Sequence, residues 1–350
     1  MPTSTELPNQ GGLNAEANRV LIIGAQGVLG TLLARGFREA GWHIVRGGRR
    51  PERAADFRLV DLDQPETVSQ ALSEVGLAVS TVRDDKLAAE RAVLSEGGML
   101  IHVNGVSAAE RASLEREIAA PRGLVVGRAG LGGVATFLAG RELIEEHPDA
   151  DTAEVGLTVS SRAASGPAGG LFLHSLLARP SHHATARIAL PPPFGSRRCI
   201  ELGPNEVTER LFAEAFPSCA VHYYACLSSG AFRATFLALN SLRMLSRLPR
   251  AAFTSGRGVP KQFPQEPFCY WASVRREGRV LGSRFFQGKG NYQGTVAATL
   301  VFAEALRRPA GGQQERRGVL GVDEILTLSD VEAGLAKNGV ALSRTMPAPQ

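Results

Sequence analysis

The sequence predicts an α/β fold, a Rossmann-type doubly wound parallel sheet followed by a second, α+β domain. Three observations predict it. From Arg19 to about residue 130, short continuous apolar runs alternate with helical patterns, as buried parallel strands and their crossover helices do. A glycine turn, Gly24-Ala25-Gln26-Gly27-Val28-Leu29-Gly30, joins the first run to the first helix. From about Thr152 the texture changes to alternating strands and proline-rich loops.

The elements follow in order. Residues 1–18 are polar and read as a disordered leader, with neither the basic start nor the apolar stretch of a signal peptide. Arg19–Gly24 is the first strand. Val28–Ala40 is a helix with Leu29, Leu32, Leu33 and Phe37 on one side, stopped by Gly41. Strands are expected at His43–Val45, Phe57–Val60, Leu77–Val82, Met99–Val103 and Leu124–Val126. Helices are expected between them at Pro65–Val75, Asp84–Ser95 and Ala108–Ala119. In the second domain Glu154–Ser160 reads as a strand and Ala231–Ser246 as a helix. Phe268–Arg275 and Arg279–Gln287 read as a hairpin turning at Glu277-Gly278. Tyr292–Leu306 and Ser329–Lys337 close the chain as helices, the latter with Ser329 as a candidate N-cap.

Composition narrows the function classes. The formal charge is +5, and all but four of the 39 basic residues are arginine. The two basic clusters, 46–53 and 307–317, carry no interleaved aromatics, which disfavours nucleic acid. No uncharged apolar run reaches the ~18–20 residues of a membrane span. The four cysteines show neither a CxxC pair nor zinc spacing; they read as free thiols in a reducing, cytoplasmic setting, and no metal site is expected.

The glycine turn carries the chemistry. Glycines at Gly24, Gly27 and Gly30 allow a sharp reversal, close approach of backbone to a pyrophosphate, and tight helix–strand packing. The amides at the helix start, with Ala25, Gln26, Val28 and Leu29 completing the turn, offer N–H groups to phosphates. An NAD-type unit places an acid about 20 residues further on. Here the second strand runs into Val45-Arg46-Gly47-Gly48-Arg49-Arg50. Arg46, Arg49 and Arg50 are therefore candidates for a 2′-phosphate, which favours NADP(H) over NAD(H); the alternative is solvated surface arginine. Asp61 and Leu62 stand where such folds contact adenine, although Asp61 equally suits loop capping. Thr81, Val82, Arg83 and Asn104 end strands on the nicotinamide edge, although Asn104 before glycine also suits a plain turn.

Candidate proton donors are His102 at a strand end, His174 in the second domain and Tyr292 at the domain crossover. Each also has a structural reading, as do Lys289, Asn291 and the candidate carboxylate binders Arg162 and Arg233. No tyrosine has lysine four residues on, which argues against short-chain dehydrogenase chemistry.

The GAQGVLG turn, the DLDQPETV and HVNGVSAAER segments, Gly127–Gly133 and the C-terminal GNYQGTVAATLVFAEAL and GVLGVDEILTLSDVEAGLAKNGV resemble the saccharopine dehydrogenase-like reductases. The resemblance spans residues 19–140 and 288–342. It implies that the α+β domain is inserted: a Rossmann domain over 19–150, a substrate and dimerisation domain over 151–288, and C-terminal helices over 289–345 packing back on the first. It also implies an NAD(P)(H)-dependent oxidoreductase, with NADP(H) expected from the arginines, that moves hydride to or from a C=N or C=C bond of a small metabolite, working as a homodimer. The alternative is a non-catalytic NADP(H) sensor.

Overall fold

The computed structural model describes residues 18–159, 170, 174, 184–202, 216–228, 230–244, 247–249, 251, 265–307 and 316–345. The N-terminal strands are β1 (Arg19–Ile23), β2 (His43–Gly48), β3 (Phe57–Leu59), β4 (Leu77–Ser80), β5 (Met99–His102) and β6 (Leu124–Gly127). Between them run α1 (Val28–Glu39), α2 (Pro65–Leu72), α3 (Ala88–Glu96) and α4 (Ala108–Glu117). After β6 a turn at Leu131–Gly133 leads through a π-helical Val134–Ala139 into α5 (Gly140–Glu146). The second part holds β7 (Thr152–Val159), β8 (Thr185–Leu190), β9 (Gly195–Leu202), β10 (Ala220–Leu227), α6 (Gly230–Ser241), β11 (Pro267–Arg276) and β12 (Arg279–Lys289). The chain ends on α7 (Asn291–Arg307), β13 (Gly318–Gly321), α8 (Leu328–Lys337) and β14 (Ala341–Thr345).

The first sheet is wholly parallel, in the order β13-β6-β5-β4-β1-β2-β3. The order reverses between β1 and β4, the switch point of a doubly wound fold. The continuous apolar run of β1 suits this central place. Val20 and Ile22 face one core with α1 and α7, while Leu21 and Ile23 face the other with α2, α3 and α4. Leu32, Leu33 and Phe37 anchor α1, each contributing about 1.5–3 kcal/mol by burial. Gly36 lets α7 close on α1, since a Cβ there would lie 2.6 Å from Val296 Cγ1.

The second sheet is mixed, in the order β14-β12-β11-β7-β10-β9-β8, and only the β7–β10 pair in it is parallel. Its β11–β12 hairpin turns at Glu277 and Gly278, both with positive φ, as a tight two-residue turn requires. The two sheets share one core, which joins Val126 and Ala135 to Leu157, Tyr270 and Phe286. Arg284 on β12, its side chain 3% exposed, donates to Glu142 at 2.7 Å and Glu146 at 2.6 Å on α5, so a buried cation is compensated across the junction.

Four expectations need correction. The segment 289–345 is not helices alone: β13 completes the first sheet, and β14 adds an edge to the second. Helix α3 starts at Ala88, because the Asp84 carboxylate accepts the Lys86 and Ala88 amides and turns the chain first. Helix α8 is capped by Thr327 in a reciprocal box with Asp330, not by Ser329. The four cysteines are not all free: Cys199 and Cys226 form a disulfide, while Cys219 and Cys269 are buried thiols. The β9–β10 register, which pairs Ile200 with Ala225, brings the two sulfurs face to face; a separation of 27 residues hid this in the sequence. Among the described residues no helix is long and apolar enough to cross a membrane.

Candidate active site

The glycine turn lies at the switch point. Gly24 takes φ +83°, and its amide and that of Ala25 both donate to Gly47 O at 3.0 Å, tying the turn to the end of β2. Gly30 is demanded by contact: a Cβ there would fall 2.2 Å from Gly24 O and 2.7 Å from Ala25 Cα. Gly27 caps α1 by backbone alone, with no side chain bonded to the first turn and no acid in it. The leading amides of α1 therefore lack both intrahelical acceptors and a side-chain substitute. An uncapped helix start beside a glycine turn has the donor set that a pyrophosphate needs. The rest of the turn serves packing: Ala25 and Val28 are buried in the core and Leu29 packs against it.

Gln26 has a role that its position in the motif does not announce. Its amide nitrogen donates to Arg50 O at 2.9 Å and to Glu52 Oε1 at 2.7 Å. The side chain lies over Gly48, where a Cβ would meet Gln26 Oε1 at 2.6 Å. Glu52 is bridged in turn by Arg46 at 3.0 Å, and Arg46 pairs with Asp56 at 3.1 Å. Arg46 is thus engaged within the protein rather than presented to a ligand, and its hydrogen bond to Asp56 raises its pKa further. Arg49 and Arg50 are exposed at the mouth of β2; the Arg49 charge reaches Asp63. Asp61 takes the loop-capping role: its carboxylate accepts the Asp63 amide at 3.2 Å and the Gln64 side chain at 3.2 Å. Leu62 packs on the α2–α3 core.

On the other side of the switch point, Thr81 N–H and Oγ1 both donate to Ile23 O, at 3.1 and 3.0 Å. A Cβ at Gly24 would meet Thr81 Oγ1 at 2.6 Å and Val82 Cγ1 at 2.7 Å, so these two residues wall the turn. Asn104 Nδ2 reaches Thr81 O at 3.4 Å, which brings together the two strand ends expected at the nicotinamide edge. Arg83 is not part of this group; it is exposed and pairs with Asp85 at 3.0 Å.

The candidate proton donors separate. His102 is 3% exposed, with Nδ1 accepting the Gly105 amide at 2.8 Å and Nε2 3.4 Å from Glu90 Oε1. Burial lowers its pKa to about 4, so it is neutral and closed to substrate. This corrects its assignment as a proton donor. His174 Nε2 bonds with Leu248 O at 3.0 Å. Tyr292 opens α7, one turn before Thr295. A Cβ on Gly130 would lie 3.4 Å from Val103 O and 3.5 Å from Thr295 Cγ2, so the start of α7 adjoins the Val103–Asn104 turn. Tyr270 stands nearby and escaped the sequence reading, because only the fold brings β11 to this place; burial, with Tyr223 and Tyr292 adding to it, raises its pKa and keeps its hydroxyl protonated. Arg233 on α6 has a buried Nη1 with no partner, and Arg162 lies outside the described residues.

No family model matches the sequence, and no curated protein sequence matches it either. Solved structures do. Saccharopine dehydrogenase (L-Glu forming) from Saccharomyces cerevisiae aligns over 95% of this chain and 100% of its own, with a TM-score of 0.63 and 14% identity. An amine dehydrogenase from Mycobacterium smegmatis aligns over 89% and 96%, with a TM-score of 0.48 and 12% identity. Dihydrodipicolinate reductase from Paenisporosarcina sp. TG-14 aligns over 88% and 99%, with a TM-score of 0.43 and 11% identity. The first of these aligns over nearly the whole chain, and the two proteins share a two-domain fold of a parallel sheet and a mixed sheet.

Proposed function

We propose that this protein is an NADP(H)-dependent oxidoreductase that transfers hydride to or from a C=N or C=C bond of a small metabolite. The carrying observation is the cradle of Gly24 and Gly30 beneath the uncapped start of α1, at the point where the strand order reverses. Backbone amides there hold the diphosphate, and Arg49 and Arg50 meet the 2′-phosphate. Thr81 and Asn104 flank the nicotinamide end. Bound nicotinamide supplies or accepts the hydride, and the chain supplies position and a proton. Tyr292 is the proton donor this reading favours, because the helix it opens starts beside the Val103–Asn104 turn while His102 and His174 bond to backbone. The second domain forms the substrate wall, and a homodimer is part of the same reading. The three-part division at residues 150 and 288 belongs to it as well.

The test is titration with NADPH and NADH, followed by NADPH oxidation against a panel of imines and enones. Saturable NADPH uptake with turnover of one panel member is expected; no uptake of either nucleotide refutes the reading. The engagement of both histidines favours a second reading, a non-catalytic NADP(H) sensor, for which NADPH binds tightly and no panel member is turned over.

A further inference from the structure

Glu90 on α3 is completely buried, and neither of its carboxyl oxygens has a hydrogen-bond partner. An orphaned buried carboxyl is costly and calls for a reason. Its nearest polar neighbour is His102 Nε2 at 3.4 Å. The other ring nitrogen, Nδ1, accepts the Gly105 amide at 2.8 Å. A neutral imidazole that accepts at Nδ1 carries its proton on Nε2, facing Val82 O and Glu90. Gly105 in turn takes φ +86°, and a Cβ on it would collide with Arg128 Cγ at 2.4 Å. The Val103–Asn104–Gly105 turn is thus pinned by His102 from below, and Asn104 meets Thr81 above it.

We propose that Glu90 is a positioning residue for the cofactor edge: by facing Nε2 it holds His102 in the one tautomer that can anchor Gly105, and so fixes the turn that presents Asn104 to the nicotinamide end. The proposal rests on the dinucleotide reading of the site. Its logic is one of protons. An ionised Glu90 attracts the Nε2 proton and favours the anchoring tautomer. A protonated Glu90 can donate its own proton to Nε2 only if the ring proton moves to Nδ1. There it would confront the Gly105 N–H, two donors face to face, and the turn is released. Burial raises the Glu90 pKa to about 7, opposed by its own backbone amide and by Arg91, with Asp84 and Glu110 pushing the same way as burial. Asp84 and Glu110 also face His102, as does Arg83. The anchoring form therefore gains as pH rises through neutrality.

Three variants of the full chain test this. In the wild type, NADPH affinity is expected to strengthen several-fold between pH 6 and pH 8, with 15N NMR showing the Nε2–H tautomer of His102 at pH 8. Glu90→Gln cannot ionise and, like the protonated carboxyl, offers Nε2 a donor as well as an acceptor, so affinity stays within about twofold of the pH 6 wild type and its pH step disappears. Glu90→Leu removes a buried carboxyl and melts no lower than wild type, yet binds NADPH about three- to tenfold more weakly and shows mixed His102 tautomers. His102→Leu reproduces the weaker binding. A purely structural Glu90 would move stability and affinity together, whereas positioning moves them apart. Unchanged affinity and tautomer in Glu90→Leu, with wild-type binding intact, overturn the positioning role alone. Failure of the wild type to bind either nucleotide overturns the dinucleotide reading and this proposal with it.

Discussion

Replacing Gly30 by alanine gives the sharpest test of the glycine cradle. The new Cβ would sit 2.2 Å from Gly24 O and 2.7 Å from Ala25 Cα, both backbone atoms that cannot swing aside. Ordinary contact requires the helix start and the turn to part by roughly 1 Å, a displacement at which packing contacts forfeit much of their attraction. Overpacking of this kind costs about 1–3 kcal/mol of stability. The amides of α1 move with the helix. Loss of one or two charge-assisted hydrogen bonds to a diphosphate is worth about 3 kcal/mol, on the order of 100-fold in Kd. Gly41→Ala supplies the control: Gly41 has φ +84° but no atom within 4 Å of an added Cβ. It carries about 1–2 kcal/mol of backbone strain and no steric clash. Both variants should melt several degrees below wild type, and only Gly30→Ala should lose NADPH, read by quenching of intrinsic tryptophan fluorescence or by calorimetry. Affinity in Gly30→Ala within about threefold of wild type would refute the argument that this close approach forms the phosphate site.

Two further predictions concern charge. Arg49→Ala and Arg50→Ala should each weaken NADPH about tenfold and leave NADH unchanged, while Arg46→Ala, which strands Asp56 and Glu52, should lower the melting temperature; equal losses for both nucleotides would contradict the 2′-phosphate assignment. The buried pair has an unusual pH signature. Glu90 rises from 4.5 to about 7 on folding, which costs stability as pH increases; His102 falls from 6.5 to about 4, which costs stability as pH decreases. Between pH 4.5 and 6.5 both states hold one proton on the pair, so its contribution is flat. Glu90→Gln removes the first half, and stability relative to wild type should then climb by about 3 kcal/mol between pH 4 and 6.5, measured by urea unfolding. A constant difference between variant and wild type across that range would show that folding does not raise the Glu90 pKa.

The first sheet was legible because its central strands are buried on both faces and so appear as uninterrupted apolar runs, with the glycine turn marking the switch. The ends were less legible. β13, with only the residues Gly318–Gly321, sits at the rim of the sheet and looks like part of a linker, and β14 reads as a polar tail until β12 is seen beside it. In the site, the backbone part was readable because glycine spacing reports backbone geometry. The charged part was not. Arg46 resembles a phosphate ligand in the sequence because Glu52 and Asp56, six and ten residues away, fold onto it only in the tertiary structure. His102 stood at the right strand end, but its ring turns inward to Glu90, and a glutamate within Ala88–Leu94 gives no sign that it is buried without a partner. Direction of a side chain at a strand end is set by what packs behind it, and that is a property of the tertiary structure.

The last stretch of the chain crosses between the sheets, with β13 beside β6 and β14 beside β12. Without residues 318–345 the first sheet would therefore end on β6 and the second on β12. Each rim exposes unpaired peptide groups that invite self-association. Residues 318–345 pair with both rims and become the outer strands there, so one short stretch of chain sets an edge of each sheet. Deletion of residues 318–345 should thus lower solubility although it leaves the Gly24–Gly30 turn, Thr81 and Asn104 untouched.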